Sequence, residues 1–419
     1  MAKEEKKAPK LRFNGYTNDW ERKKLGDVAE KVIQKNNNNA FKNVLTNSAE
    51  YGIISQRDFF ERNIANKNNI STYYIVQNDD FVYNPRISNL APYGPINRNK
   101  TGYTGIISPL YYVFRVLNIN TAFIEWYFKT TCWHKFMYQH GDSGARSDRF
   151  SIKDNELKKL PIKLPVDDME QEKIAKTLTS LDNTLQLHER KYEELTIIKQ
   201  ALLQKLFPKK DEIKPEVRYE NFSDAWEQRK LGEVVNLRGR IGFRGYKQTD
   251  LVDKGQGAIS FSPADIDEFG NVLNCNNKYI SWAKYDESPE IQIAQGDILF
   301  TKTASIGKIG YITKLREKAT INPQIALITP LKNENGYFIF LSLRLDQFTK
   351  KVRNIIGGSS VPTLSQEKLK LLTFMYPDTS EQKEIGDFFK QLDSLIALHQ
   401  CKLEKLKQLK KFLLQNMFI

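Results

Sequence analysis

The chain has 419 residues and 40% of them are hydrophobic, while 64 Lys and Arg against 50 Asp and Glu give a net charge of +14. This hydrophobic fraction excludes a wholly disordered basic chain, and about 150 residues per domain suggests about three domains. The excess positive charge permits a polyanionic partner but does not locate its binding surface.

Signals for export, membrane insertion and metal binding are missing from the sequence. Residues 1–10 lack the apolar stretch of a signal peptide, and no apolar run approaches the ~18 residues of a membrane span. We therefore expect a soluble, cytoplasmic protein. Its three cysteines form no CxxC pair and its four histidines are scattered, which argues against a disulfide framework and a metal site.

In chain order, the first feature is a motif that occurs twice. Residues 12–28, RFNGYTNDWERKKLGDV, return at an offset of 206 as residues 218–234, RYENFSDAWEQRKLGEV. A second block, residues 171–207, returns at an offset of 211 as residues 382–418. The chain therefore contains two copies of a repeat of about 210 residues.

The repeat predicts the domain boundaries, because each copy has a body of about 150 residues followed by a long helix. We predict a disordered basic tail, a first body, a central long helix, a linker, a second body and a C-terminal long helix. In that order they cover residues 1–10, 11–165, 166–209, 210–216, 217–377 and 378–419.

In both predicted helices, mostly apolar residues recur at alternating spacings of four and three for about five heptads. This pattern is typical of a coiled coil. A rise of 1.5 Å per residue over about 37 residues gives rods of about 55 Å, which can pair antiparallel as a spacer. The predicted helix-pairing residues are Ile174, Leu178, Leu181, Leu185, His188, Leu195, Leu202, Ile385, Phe389, Leu392, Ile396, His399, Leu403, Leu406 and Leu413.

Polar residues recur at matching seam positions of the two helices. His188 and Lys199 correspond to His399 and Lys410. A metal or proton switch is one interpretation, but a lysine in each seam disfavours a bound cation. A polar layer that sets the register is therefore favoured.

The bodies combine strands with shorter helices. Helical patterns occupy residues 121–136 and 336–352, and short β-branched and aromatic segments predict strands. The expected fold class is α+β: two β-rich mixed bodies separated by two long antiparallel coiled-coil helices, with a pseudo-twofold internal repeat. The predicted strands are residues 71–76, 80–83, 110–116, 297–301, 309–313 and 325–329.

Charge separates the bodies from the helices. Residues 1–165 hold 26 basic and 16 acidic residues, and residues 211–377 hold 23 and 20. Residues 166–210 hold eight of each, and residues 378–419 hold seven and six. The excess positive charge therefore belongs to the bodies.

Polar and basic loops between the predicted strands supply the residue types that contact phosphates and base edges. For a single arginine an ordinary solvated surface remains the favoured interpretation, so the hypothesis depends on the collective placement of these loops in two similar bodies. The candidate DNA-binding residues are Arg86, Arg98, Lys100, Arg146, Arg149, Arg238, Arg240, Arg244, Lys302, Ser305 and Lys308.

Catalytic motifs are incomplete. Asn84-Pro85-Arg86 and Asn322-Pro323-Gln324 lack the second proline and the aromatic residue of a methyltransferase motif, and Gly307-Lys308 is not part of a phosphate-binding loop. Asp378, Glu381 and Lys383 resemble part of a nuclease metal site, but the two carboxylates lie at the start of a helix, where they complement its dipole. We predict no catalytic and no metal-binding residue.

Two variable bodies, each opened by Trp-Glu-x-x-Lys-Leu-Gly-Asp/Glu-Val and followed by a long helix that begins near a Glu-Gln pair, resemble the specificity subunit of a type I restriction–modification enzyme. The resemblance covers essentially residues 11–419. It implies a role in bacterial defence, in which each body is a target-recognition domain that reads one half of a split, asymmetric site in double-stranded DNA.

The resemblance also implies partners. The long helices would set the spacing between the half-sites and dock two methyltransferase subunits, and restriction subunits with a motor and a nuclease would join them. The chain itself would be non-catalytic and bind no cofactor, with S-adenosylmethionine, ATP and Mg in the partner subunits. The alternative is a scaffold whose two bodies bind proteins, without DNA specificity.

Overall fold

The computed structural model describes residues 7–59, 70–142, 148–240, 245–274, 277–303, 305–356 and 363–419. Two candidates, Arg146 and Arg244, lie outside the described residues. The chain divides into two compact units: unit 1 is Met1–Glu189 with Cys401–Ile419, and unit 2 is Arg190–Gln400. Each division falls within a long helix, so each unit holds one body, the start of the helix that follows it and the end of the other long helix.

Body 1 contains a four-stranded antiparallel sheet in the order β2-β9-β6-β7 and three two-stranded sheets, β1-β10, β3-β4 and β5-β8. The strands are β1 (Glu21–Lys24), β2 (Ala29–Lys31), β3 (Leu45–Ser48), β4 (Gly52–Ser55), β5 (Tyr74–Val76), β6 (Phe81–Tyr83), β7 (Ile96–Arg98), β8 (Gly105–Ile107), β9 (Tyr112–Val116) and β10 (Pro161–Leu164). The helices are α1 (Leu25–Val28), α2 (Gln56–Phe59), α3 (Thr121–Phe128), α4 (His134–His140), α5 (Asp154–Leu157) and the long α6 (Asp168–Lys205).

Body 2 repeats the antiparallel sheet as β12-β19-β16-β17 and the terminal pair as β11-β20. It adds a mixed four-stranded sheet, β13-β15-β14-β18, in which β14 and β18 are parallel. The strands are β11 (Glu227–Lys230), β12 (Val235–Gly239), β13 (Leu251–Val252), β14 (Gly257–Phe261), β15 (Lys278–Ser281), β16 (Ile298–Thr301), β17 (Ile309–Tyr311), β18 (Ala319–Ile321), β19 (Ile325–Pro330) and β20 (Thr373–Tyr376). The helices are α7 (Leu231–Val234), α8 (Trp282–Asp286), α9 (Gly336–Arg344), α10 (Asp346–Ile356), α11 (Gln366–Lys370) and the long α12 (Thr379–Asn416).

The six predicted strands are confirmed within a few residues, but each predicted body helix is interrupted. The pattern over residues 121–136 forms α3 and α4, and that over 336–352 spans α9 and the first part of α10. Leu345 has extended backbone angles, which end α9. Apolar spacing continues across both breaks because the shorter helices pack on the same core, so the sequence pattern conceals the breaks.

Residues 7–10, predicted as the end of a disordered tail, are held against body 1. The Lys7 carbonyl accepts a hydrogen bond from the Trp20 backbone N–H at 2.8 Å, and Pro9 is buried. Unit 2 has the same bond, from the Trp226 N–H to the Ile213 carbonyl at 2.8 Å. Composition favoured disorder in this segment, but backbone pairing and burial fix it.

A buried ion pair joins the start of each long helix to the segment that opens the body. Glu170 is fully buried, and its two carboxylate oxygens accept hydrogen bonds from Arg12 Nε at 2.6 Å and Nη2 at 2.8 Å. Glu381 and Arg218 repeat this geometry at 2.7 Å and 2.7 Å. The guanidinium fork matches the carboxylate, so both charges are satisfied away from water.

The glutamine that follows each buried glutamate ties the long helix to a second helix of the body. Gln171 Nε2 donates to the Pro165 carbonyl at 3.0 Å, and its Oε1 accepts from the Asn120 N–H at 3.1 Å. Asn120 in turn caps α3. Gln382 and Asn335 repeat the contact at the start of α9. We call the Arg-Glu pair and this glutamine the helix-start clamp.

A tryptophan in each body packs on the aromatic residue that follows a long helix. The rings of Trp20 and Phe418 are 6.4 Å apart in unit 1, and those of Trp226 and Phe207 are 5.9 Å apart in unit 2. Phe418 follows the helix of the second copy and Phe207 follows that of the first. Each body is therefore completed by the helix end of the other copy.

Within unit 1 the two long helices pair antiparallel. Lys410 forms an ion pair with Asp182, and Lys407 with Glu189 at 2.7 Å, so the partner's number falls as the number along α6 rises. In unit 2 the Lys199 amine lies 2.6 Å from Asp393, which corresponds to the Lys410–Asp182 pair at the offset of 211.

The seam residues predicted from the heptads are all buried or half-buried. The start of each seam packs on a body: Ile174 and Leu178 belong to the core of body 1, and Ile385 and Phe389 to that of body 2. The seam residues that are buried, with at most 9% exposure, are Ile174, Leu178, Leu185, Ile385, Phe389, His399 and Leu403.

Replacing Arg218 with Met tests the helix-start clamp. We expect the free energy of unfolding to fall by about 3 kcal/mol, because Glu381 would be left as an unpaired charge in the interior. Urea denaturation followed by tryptophan fluorescence measures the change.

Arg86→Met is the matched control, because the Arg86 side chain is 64% exposed and its ion pair with Asp148 spans 3.5 Å. We expect a change of at most about 0.5 kcal/mol in the control. Equal losses in the two variants would contradict a structural role for the clamp.

Candidate nucleic-acid interface

Arg86 and Arg149, two candidates from different loops of body 1, lie opposite each other in an antiparallel bridge. The bridge is closed by the Ile87 N–H donating to the Asp148 carbonyl at 3.0 Å and the Phe150 N–H donating to the Pro85 carbonyl at 2.8 Å. The Arg86 side chain is mostly exposed. The fold thus brings together two arginines that are 63 positions apart in the chain.

Arg149 also lines a cleft of about 300 Å³ in body 1. Tyr74, Tyr111 and Lys31 line the same cleft, and Lys31 forms an ion pair with Asp154. Aromatic rings can stack on an exposed base, and an adjacent arginine can bind its phosphate. This surface suits nucleic acid better than the loop sequences alone indicated.

Arg98 and Lys100 share a carboxylate. Arg98 lies 2.8 Å from Asp79 and 3.2 Å from Glu125, and its side chain is 19% exposed. Lys100 lies 3.0 Å from the other oxygen of Glu125 and is 56% exposed. Arg98 is thus held in internal ion pairs, whereas the Lys100 side chain remains largely exposed to solvent.

Two arginine candidates of body 2 point into the protein. Arg240 is 5% exposed, donates to the Ile321 carbonyl and the Thr320 hydroxyl at 3.2 Å each, and has a pKa lowered by burial. Arg238 donates to the Thr329 hydroxyl at 2.9 Å, and its Nε is buried. Their internal bonds give both side chains structural roles, so neither enters the interface proposed below.

The remaining candidates of body 2 within the described residues lie on the turn between β16 and β17. Ser305 is exposed, and the Lys308 amine donates to the Ile266 carbonyl at 2.9 Å from an exposed side chain. Lys302 is half-buried, and burial lowers the pKa of its amine. Gly307 adopts a φ of +88°, which fixes the turn at little cost for glycine. Ser305 and Lys308 are the candidates that this turn presents to solvent.

A polar groove in body 2 was missed by the sequence analysis. It encloses about 530 Å³ along β13 and β15. The sequence signal was an asparagine-rich stretch that ends in lysine, residues 271–278, which a search for arginine and lysine loops passes over. Its polar lining residues include Gln248, Lys254, Asn274, Asn277 and Lys278.

The groove's side chains suit base recognition. Amide groups of Asn and Gln can pair with adenine edges, and lysine with guanine or phosphate. The Asn277 amide already makes an internal hydrogen bond, because its Nδ2 donates to Asp265 at 2.9 Å. Gln248, Lys254 and Lys278 are exposed.

None of the described helices is long and apolar enough to cross a membrane. In the same part of the chain, no group of three or more His, Cys, Asp or Glu side chains is placed to hold a metal ion.

Comparison with solved structures finds a similar fold in the S subunit of a type I restriction-modification system from M. genitalium. The TM-score is 0.62 at 16% sequence identity, and the alignment covers 98% of this chain and 99% of that one. The likeness supports the expected α+β fold class with two mixed bodies and two long helices, which is confirmed.

Two curated relatives come from Methanocaldococcus jannaschii. The type I restriction enzyme MjaVIII specificity subunit is 24% identical over 261 residues, which is 60% of this chain and 60% of that protein. The putative type I restriction enzyme MjaX specificity subunit is 26% identical over 267 residues, 62% of this chain and 59% of that protein. The chain thus matches about 60% of the length of these relatives.

The family described as type I restriction modification DNA specificity domain matches the chain twice, over residues 17–196 and 223–408. The two matches cover most of the sequence and follow the internal repeat. They confirm the resemblance carried by the Trp-Glu motifs and the duplicated helices. The chain therefore belongs to the family of type I restriction modification DNA specificity domains.

Proposed function

We propose that this chain is the non-catalytic recognition subunit of a type I restriction–modification enzyme. Each body reads one half of a bipartite, asymmetric DNA site, and the long helices set the spacing and dock methyltransferase subunits. One observation carries the proposal: the two units share the same helix-start clamp but carry different polar surfaces.

The difference between the surfaces favours two different half-sites. Body 1 presents Arg86 and Arg149 beside a tyrosine-lined cleft, whereas body 2 presents Gln248, Asn274 and Lys278 in a groove. Arginine pairs well with guanine and amides pair with adenine, so these surfaces favour different bases. Lys100 and Lys308 would hold phosphates and contribute to salt dependence.

Catalysis is assigned to other chains. The sequence has no complete methyltransferase or phosphate-binding motif. Methyltransferase subunits would bind S-adenosylmethionine, and restriction subunits with a motor and a nuclease would use ATP and Mg. Together these subunits would methylate or cleave DNA according to the sequence that this chain reads.

Exposed leucine and isoleucine side chains on the long helices support docking of two copies of one partner. Unit 1 exposes 50% of Leu187 and 45% of Leu409, and unit 2 exposes 50% of Leu398 and 47% of Ile198. The pairs correspond at the offset of 211. We call these two exposed apolar side chains of each unit its apolar patch. Two such equivalent sets on a duplicated chain fit two identical subunits.

Exchange of body 2 tests the reading of half-sites. We replace residues 231–372, between β11 and β20, with the corresponding segment of another family member whose DNA site is known. We expect the assembled methyltransferase to change one half of its methylated site and keep the other, because the bodies read independently. Methylome sequencing of cells that express the complex measures this.

The control is the reciprocal exchange of residues 25–160 in body 1, which lie between β1 and β10. It should change the opposite half-site. An unchanged site in both exchanges, with complexes assembled normally, would overturn the proposal and support the protein-binding scaffold instead.

Docking is tested by removing one apolar patch at a time. In Leu187→Ser/Leu409→Ser we expect one bound methyltransferase subunit per chain instead of two, since unit 2 keeps its patch. Ile198→Ser/Leu398→Ser should have the same effect, and all four changes together should abolish binding. Light scattering after size-exclusion chromatography gives the stoichiometry.

Ile33→Ser serves as the control for docking, because Ile33 is 73% exposed on body 1. Two subunits should still bind to this variant. Retention of both subunits by the quadruple variant would show that these patches are not the docking surface.

A further inference from the structure

Charge is uneven along α12, although the helix as a whole is nearly neutral. Residues 401–411 contain five lysines and one glutamate, whereas the corresponding residues 190–200 of α6 contain three basic and two acidic residues. The lysine-rich part of α12 belongs to unit 1. A count over the whole helix conceals this local excess.

Three of these lysines, Lys407, Lys410 and Lys411, line a cleft of about 600 Å³ in unit 1, between the two helices and the turn after α3. Lys129, from that turn, lines the same cleft as the three lysines of α12. Gln186 and Gln415 lie among the polar lining residues. The cleft therefore brings together cations from sequence-distant segments.

Carboxylates neutralise two of the four lysines. Asp182 pairs with Lys410, whose amine also lies 5.2 Å above the Trp126 ring, and Glu189 pairs with Lys407. The other two of the four lysines are Lys129 and Lys411. The Lys129 amine donates to the neutral side chain of Asn97 at 2.6 Å, and Lys411 is exposed.

The corresponding place in unit 2 provides an internal comparison. The Lys199–Asp393 pair is retained there, but the space is only about 60 Å³. Tyr192, Tyr311 and Tyr337 are among the aromatic side chains that line it. The duplicated frame is thus open and basic in unit 1 but narrow, aromatic and charge-balanced in unit 2.

The cleft continues the positive charge of body 1. Glu125 and Lys129 lie one turn apart along α3 and its C-terminal cap, and Glu125 contacts Lys100. Lys129 and Lys411, which line the cleft, therefore add cations from two further elements to Lys100, whose amine pairs with Glu125. A row of point charges across separate elements suits the phosphates of a duplex, which contact proteins independently of base sequence.

We infer that this lysine cleft of unit 1 binds phosphates of the DNA backbone and extends the interface of body 1 onto the end of α12. The inference rests on the proposed function, which supplies DNA as the partner. It adds a sequence-independent contact on a helix pair to which the resemblance assigned spacing and docking alone.

Lys129→Gln/Lys411→Gln tests the inference in the complex with methyltransferase subunits. Fluorescence anisotropy measures binding of duplexes with and without the recognised site over a range of salt concentrations. The slope of log K against log salt should become shallower by about 2, because each lost phosphate contact removes about 0.9. Both duplexes should weaken by the same factor, leaving their affinity ratio unchanged.

Lys402→Gln/Lys405→Gln is the matched control, with the same loss of charge from exposed positions of α12 that do not line the cleft. Its slope should remain within about 0.5 of the unaltered complex. Equal slopes for both variants, or an unchanged slope in Lys129→Gln/Lys411→Gln, would overturn the inference while leaving site-specific binding intact.

Two other outcomes are distinguishable. Loss of methyltransferase subunits from Lys129→Gln/Lys411→Gln, measured by size-exclusion chromatography, would assign the cleft to a protein partner and overturn the phosphate assignment. Failure of the unaltered complex to prefer any DNA sequence would overturn the proposed function itself.

Discussion

The buried Arg-Glu pair at the start of each long helix is the contact on which each unit depends. A carboxylate with no solvent exposure is stable in its charged form only with a partner, and Arg12 and Arg218 supply two hydrogen bonds each. Both arginines belong to the segment that opens a body, so the pair closes the body against its own helix. The adjacent glutamine then fixes α3 or α9, and the strand pairs β1-β10 and β11-β20 complete the closure.

This physical constraint explains why the opening motifs and the long helices are repeated, whereas the bodies between them have diverged. Changes at the clamp would leave a buried charge unpaired, whereas loop residues on the bodies face solvent and change at small cost. Body 2 adds a mixed sheet and a polar groove, while body 1 places paired arginines beside tyrosines. A constant frame with variable surfaces suits a protein that presents two different binding sites.

Net charge gave limited information about the interface. The +14 of the chain pointed to a polyanion, and counting by segment assigned most of it to the bodies. Individual contacts divide those charges further. Arg98 in body 1 and Arg240 in body 2 are held by contacts within the protein. The side chains of Arg86, Lys100 and Lys308 remain exposed. Side-chain direction and local carboxylates decide which cations are available to a polyanion, and neither follows from composition.

By itself, the sequence determined the duplicated plan, the two long helices with their seams, most strands and the family, because repeats and hydrophobic periodicity are local patterns. It did not reveal the breaks after α3 and α9, the inward direction of Arg240 or the polar groove of body 2. Only the tertiary structure decided that Phe418 completes body 1 and Phe207 body 2, and that Lys129 and Lys411 line one cleft. The physical reason is that these contacts join residues far apart in the chain, and packing of the whole unit selects them.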